Sequence, residues 1–138
     1  MDKCIFCQIV AGGIPCYKVY EDDNFLGFLD INPLNKGNSL LIPKKHYRWV
    51  YDVPEFGKYW EAARALALTT LEVVGARSIN FLTIGDEVPH AHIRIIPRFE
   101  NDGHGEGINM LNIAKLSAEE MEEIAGKIIQ NSKLFCKK

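Results

Sequence analysis

Pro89-His90-Ala91-His92-Ile93-Arg94-Ile95-Ile96-Pro97-Arg98 is the stretch on which the reading of the fold turns. In an extended chain, residues i, i+2 and i+4 share a face. His90, His92 and Arg94 therefore point one way, and Ala91, Ile93 and Ile95 point the other. One face is apolar enough to cover a core. The other is a polar stripe of two imidazoles and a guanidinium. A strand of this kind belongs to an antiparallel sheet with one face packed and the other free for solvent or for chemistry.

The neighbouring segments supply partners for it. Ile79–Ile84 reads as a strand joined to His90–Ile96 through Gly85-Asp86-Glu87. Residues 15–21 alternate, Asp22-Asp23-Asn24 is turn chemistry, and Phe25–Leu29 is the returning strand. Ser39–Ile42 is a short buried strand ended by Pro43. Asp52-Val53-Pro54-Glu55 opens a long helix that runs to about Val74, with Gly75 as its stop. The nearly apolar second half, Ala63–Val74, predicts deep burial or cover by a second subunit. Residues 4–11 form a short amphipathic segment stopped by Gly12-Gly13. Glu100–Asn109 reads as a flexible loop with three glycines. Ser117-Ala118-Glu119-Glu120 is a capping box, with Leu116 and Met121 as its apolar staple. Met121, Ile124, Ile128 and Ile129 give the stripe of a final helix. The sum is an α+β domain: an antiparallel sheet of about five strands, one long helix and a C-terminal helix.

The bulk properties narrow the function. The 138 residues suit one domain spanning 1–138, with the core at 4–98 and a C-terminal loop and helix at 99–138. A net charge of −2 argues against electrostatic binding of nucleic acid. No apolar run approaches the roughly 20 residues of a membrane-spanning helix, and the first residues lack the character of a secretion signal. A cytoplasmic protein with no membrane partner is expected. Disulfides are uncommon there, so the four cysteines are better read as metal ligands or buried thiols.

Cys4-Ile5-Phe6-Cys7 is half of a zinc site. Completion needs two more ligands, and His46 and His90 are the candidates, since His104 sits in the glycine loop. Two thiolates and two imidazoles would make a closed, structural tetrahedral site. A redox pair would need a βαβ setting that is missing here, and two buried thiols are the alternative. Cys16 and Cys136 have no partners at ligand spacing. With His90 on metal, His92 is free on the same face. A neutral histidine fixed at one ring nitrogen offers the other as a nucleophile, and its attack on phosphorus gives a labile phosphoramidate. Arg94 can supply positive charge to the phosphate, and Gly85 permits close backbone approach. The plainer readings are a core or surface histidine at 92 and an ion pair from Arg94 to Asp86 or Glu87.

Taken in order, several motifs resemble the histidine-triad (HIT) family of nucleotide hydrolases and transferases, zinc-bearing type. They are Cys4-Ile-Phe-Cys7 with Gln8-Ile9-Val10, Val19-Tyr20-Glu21-Asp22, Phe28-Leu29-Asp30-Ile31-Asn32-Pro33, Leu40-Leu41-Ile42-Pro43-Lys44-Lys45-His46, and Val88-Pro89-His90-Ala91-His92-Ile93 through Arg98. The resemblance covers residues 4–98. It implies a HIT-like α+β fold and a homodimer, with the helix at 54–74 as the natural interface. It implies a nucleotide substrate, a purine by preference, cleaved or transferred through a covalent nucleotidyl-histidine on His92. Ile5, Phe6, Ile9 and Phe28 match the positions around the base. Asp30 matches the carboxylate for the ribose hydroxyls, and Ile31 its neighbour. Structural zinc would sit on Cys4, Cys7, His46 and His90. Three positions depart from the family pattern. Arg94 replaces the third histidine, Asn38 replaces a further site histidine, and Gly85 is followed by Asp86 where glutamine is usual. Arg94 cannot donate a proton near neutral pH, because its pKa is above about 12. Arg94, Asn38 and Gly85 still stand at site positions. The loop between Asn80 and Gly85 is also several residues shorter than the family pattern, and with Asn38 and Arg94 it suggests the alternative, a catalytically weak nucleotide-binding or regulatory protein.

Overall fold

The computed structural model describes residues 3–132. Cys136 lies outside the described residues. The elements run α1 (Ile5–Val10), β1 (Lys18–Glu21), β2 (Phe25–Leu29), β3 (Ser39–Pro43), α2 (Phe56–Val74), β4 (Ser78–Leu82), β5 (Ile93–Arg98) and α3 (Ala118–Asn131). Five strands form one antiparallel sheet in the order β1-β2-β3-β5-β4. Two hairpins, β1–β2 and β4–β5, are thus joined through β3. This is the expected α+β architecture.

The alternation of each strand divides the sheet into two environments. Phe25, Leu29, Leu41, Ile93 and Ile95 face α2 and α3, where they meet Tyr59, Ala63, Leu66, Met121, Ala125 and Ile128. Leu26, Phe28, Leu40 and Ile42 face the other way, where α1 covers them with Cys4 and Phe6. The first face is the core, and the second is the floor of the site. α2 buries Tyr59, Ala62, Ala63, Leu66, Ala67, Thr69 and Thr70. Its two threonines return their hydroxyls to the carbonyls of Ala65 and Leu66, so they enter the core without unpaired groups. Gly75 ends α2 in the left-handed region, φ 68°, as expected of a C-terminal glycine. Among the described residues no helix is long and apolar enough to cross a membrane.

Four expectations change in detail. α2 begins at Phe56 rather than at Asp52, because the Asp52 carboxylate is used earlier. It accepts the Trp49 N–H at 3.1 Å and closes a separate 3-10 turn at Val50–Asp52. β1 begins at Lys18, three residues later than the alternation suggests. β5 begins at Ile93, so His90 and His92 precede the ladder, although they keep their common face. On α3 the buried residues are Met121, Ala125 and Ile128, while Ile129 is 40% exposed. The capping box forms as read: Ser117 Oγ accepts the Glu120 N–H, and Glu120 accepts the Ser117 N–H.

The glycine-rich loop after β5 is not free, contrary to its composition. Arg98 and Asp102 form a buried bidentate pair at 2.8 and 3.2 Å. Asp102 also accepts the N–H groups of Phe99 and His104 and the amide of Asn35. His104 is buried; its Nε2–H donates to the Leu34 carbonyl while Nδ1 accepts the Asn109 N–H. This histidine is a clasp of the loop, fixed in one tautomer.

Candidate active site and metal centre

Cys4 is the N-cap of α1, and its sulfur accepts the Cys7 N–H at 3.4 Å. The first turn of the helix thereby turns both sulfurs toward one point. Cys7 Sγ lies 3.2 Å from His46 Nδ1 and 3.6 Å from His90 Nδ1, and Cys4 Sγ lies 3.3 Å from His90 Nδ1. The ligand atoms of all four residues fall within 4.8 Å of one another. A tetrahedral zinc ion with bonds of about 2.3 Å to sulfur and about 2.0 Å to nitrogen would set sulfur and nitrogen about 3.5 Å apart. The observed spacings match that geometry. His90 Nε2 donates to the Pro43 carbonyl at 2.9 Å, which fixes its orientation and leaves Nδ1 unprotonated toward the sulfurs. Burial lowers the His90 pKa to about 4, so the imidazole is neutral, as a ligand requires. Burial, with Cys4 beside it, raises the Cys7 thiol to about 11. A divalent cation is the group that would reverse that preference. The donor set fits zinc. Its four residues come from α1, the end of β3 and the approach to β5, so a bound ion would tie three elements together.

His92 follows two residues later and is 4% exposed. Its Nδ1–H donates to the His90 carbonyl at 2.8 Å, leaving Nε2 with its lone pair free. The Phe6 ring stands edge-on to it at 5.3 Å and to Phe28 at 5.6 Å. Burial lowers the His92 pKa; Arg94 and Arg48 act in the same direction, against the His90 carbonyl and Asp30. The side chain is therefore a buried neutral imidazole in a defined tautomer.

Asp30 lies beyond the end of β2, 9% exposed. One oxygen accepts the Asn32 N–H at 2.9 Å and the other meets Arg94 at 3.2 Å. Burial raises its pKa against the opposing effects of the Asn32 N–H and Arg94. Arg94 thus pairs with Asp30 rather than with Asp86 or Glu87. Gly85 also lies close to His92. A side-chain carbon placed there would be 3.8 Å from both His92 Cε1 and Arg48 Nη1. The glycine keeps that gap open.

The structure brings together Cys4, Cys7, His46 and His90, and beside them Phe6, Phe28, Asp30, Gly85, His92 and Arg94. Ile9 lies half-buried on α1. Ile5 is 46% and Ile31 75% exposed, both at the surface. Asn38 is not brought to the site. It is fully buried, its oxygen accepts the Leu34 N–H, and its amide donates to the carbonyls of Ser39 and Ile95. The short amide satisfies the bend before β3, leaving no atom for a ligand. Cys16 is half-buried beside the α1 cluster. Arg48 was not singled out from the sequence. No periodic or motif signal marks it; the fold alone sets it beside Gly85.

A profile of the HIT domain matches residues 11–101. The chain belongs to the HIT family. It is 42% identical over 109 residues to an uncharacterised HIT-like protein of Methanocaldococcus jannaschii, covering 72% of this chain and 82% of that one. It is 34% identical over 135 residues to the adenosine 5'-monophosphoramidase hnt1 of Schizosaccharomyces pombe, covering 91% and 98%. Among solved structures it superposes on a zinc-bound histidine triad family protein of Mycobacterium smegmatis with a TM-score of 0.77 at 28% identity, over 96% of this chain and 95% of that one. As a HIT protein, the chain has the fold of nucleotide hydrolases, and its Cys4, Cys7, His46 and His90 are grouped as a metal site would require.

Proposed function

We propose that this HIT protein cleaves or transfers a nucleoside monophosphate held through its phosphorus by a leaving group, with His92 as the nucleophile. The observation that carries the reading is the 2.8 Å bond from His92 Nδ1–H to the His90 carbonyl, which leaves Nε2 unprotonated in a buried site. Nε2 attacks phosphorus, the bond to the leaving group breaks, and the leaving group departs with the electron pair. Water then attacks the phosphorus of the nucleotidyl-histidine, the P–N bond breaks, and the nucleoside monophosphate is released. An acceptor hydroxyl or phosphate in place of water makes the same step a transfer.

The remaining residues serve binding. Phe6 and Phe28, with Ile5 and Ile9 on α1 and Ile31 at the rim, offer an apolar slot for a flat base, and a purine makes the larger contact. Asp30 accepts the ribose hydroxyls with the lone pairs that Asn32 and Arg94 leave. Zinc, held by Cys4, Cys7, His46 and His90, is structural: it fixes α1 and the approach to β5. A homodimer is part of this reading. The edge strand β4 and the outer side of α2 present Phe56, Trp60 and Phe81 as a chain of ring contacts at 6.4 and 5.5 Å, with Phe56 46% and Phe81 42% exposed.

The second reading is a nucleotide-binding protein of low turnover. One observation favours it: Arg94 is held by Asp30 and has no proton to give a poor leaving group. Incubation with a fluorogenic adenosine phosphoramidate and with a diadenosine polyphosphate separates the two readings. The enzyme reading expects AMP release that His92→Ala abolishes while AMP binding survives. AMP bound without release from either substrate supports the binding protein.

A further inference from the structure

Two arginines flank His92, and their surroundings differ. Arg94 is 18% exposed and committed to Asp30 at 3.2 Å. Arg48 has no acidic partner among the described residues. Its guanidinium carbon sits over the Trp49 ring, 3.7 Å from the centroid, and Nη1–H donates to the Gly85 carbonyl at 2.9 Å. A guanidinium has five N–H donors. One is used on Gly85, so the group is held in place by a ring and a carbonyl while keeping its charge and further donors uncommitted.

Its place relative to His92 fixes what it can reach. The base slot and Asp30 lie on the α1 and β2 side of His92. Gly85 follows β4, which lies across the β3–β5 pair from β2 in the sheet order, and a side-chain carbon at Gly85 would be 3.8 Å from both Arg48 Nη1 and His92 Cε1. A phosphorus attacked by Nε2 expels its leaving group on the face turned away from the imidazole. With the nucleoside anchored at Asp30, that group is directed past Gly85. There it meets Arg48 and then Trp49 and Tyr51, which stack at 5.9 Å, Tyr51 being 73% exposed at the rim.

We propose that Arg48 holds the charged group beyond the scissile bond, so that this site selects nucleotides whose leaving group carries a phosphate or a comparable oxyanion. The inference rests on the nucleotidyl-transfer reading of the same site and names its substrate class. It fits the chemistry of Arg94, which gives no proton to the departing group. An amine needs that proton, whereas a phosphate leaves as a stable anion and gains from a fixed guanidinium.

Calorimetric titration with AMP and with α,β-methylene-ADP tests this without turnover. The two probes share base, ribose and first phosphate and differ in the group beyond. The wild type is expected to bind the diphosphate about 10- to 100-fold more tightly than AMP, the range of one charge-assisted contact. Arg48→Gln should bring the ratio to within about threefold of unity with AMP affinity unchanged, and Arg48→Lys should keep part of the ratio. A wild-type ratio near one overturns the proposal. So does a ratio that survives in Arg48→Gln, or an equal loss of both affinities in Arg48→Gln and Arg48→Lys. If neither probe binds the wild type, the nucleotide reading fails as well. If the ratio behaves as expected but His92→Ala still turns over substrate, the clamp stands and the nucleophile is reassigned.

Discussion

Replacing Asp102 by Asn removes one charge from a carboxylate that five donors converge on. Those donors are Arg98 Nε and Nη2, the N–H groups of Phe99 and His104, and the Asn35 amide. The side chains of Arg98 and Asp102 are only 4% and 6% exposed, so solvent does little to screen the loss. Removing one partner of a buried pair costs about 3–5 kcal/mol. Asn keeps one acceptor oxygen, and Arg98 keeps Asn80 Oδ1 at 2.9 Å and the Gly105 carbonyl at 2.8 Å. The lower end, about 3 kcal/mol, is therefore expected. With an unfolding entropy of about 2.1 cal/mol/K per residue, a 138-residue chain should melt about 10 °C lower. The pH dependence has a definite sign. The Arg98 guanidinium holds the Asp102 carboxyl well below the usual carboxylate range. Its stabilisation is complete above the unfolded value of about 3.9 and is lost as the pH falls toward the folded value. Melting by circular dichroism should show the full gap at neutral pH and a gap smaller by about 4 °C at pH 3. A neutral-pH gap under about 3 °C, or one that does not narrow in acid, would refute the assignment of this pair as the anchor of the loop.

Three further outcomes follow from the same geometry. His46→Ala removes one of the four donors, Cys4, Cys7, His46 and His90, and should weaken zinc more than about 100-fold in a competition titration; an unchanged zinc affinity would contradict the ligand set. Arg94→Ala leaves the Asp30 carboxylate buried beside no cation, at a cost of about 2 kcal/mol after allowing for partial exposure. Its melting deficit should shrink as the pH falls and Asp30 takes a proton, and a deficit independent of pH would count against the pair. Gly37→Ala places a carbon 3.0 Å from Val74 Cγ1 and 3.2 Å from Pro97 Cγ at φ +87°, and should cost about 1–3 kcal/mol in thermal melts; unaltered melting would mean that the turn relaxes.

The sheet was legible because its signals are local. Alternation in residues 15–21 and 90–95, the turn at Asp22-Asp23-Asn24, and the caps at Gly75 and Ser117 each act within a few residues. The common face of His90, His92 and Arg94 followed from backbone geometry, and it survives even though the ladder starts only at Ile93. What the sequence concealed depends on chain reversal over long separations. The partner of Arg94 is Asp30, 64 residues away, and the clasp of His104 is the Leu34 carbonyl, 70 residues away. Asn38 matched a site position through the family resemblance, yet its short amide in the bend before β3 turns inward to bond backbone. Arg48 carries no periodic or motif signal, and only the fold sets it beside Gly85.

The central claim is the nucleophilic Nε2 of His92, and the most direct test is to look for the covalent intermediate. The protein is mixed with an adenosine phosphoramidate, quenched within milliseconds at alkaline pH, and read by peptide mass spectrometry. The account predicts an adenylyl group on the peptide that contains His92, transient in the wild type and missing from His92→Ala. AMP released at the wild-type rate by His92→Ala, or an adenylyl group carried by another residue, would contradict it.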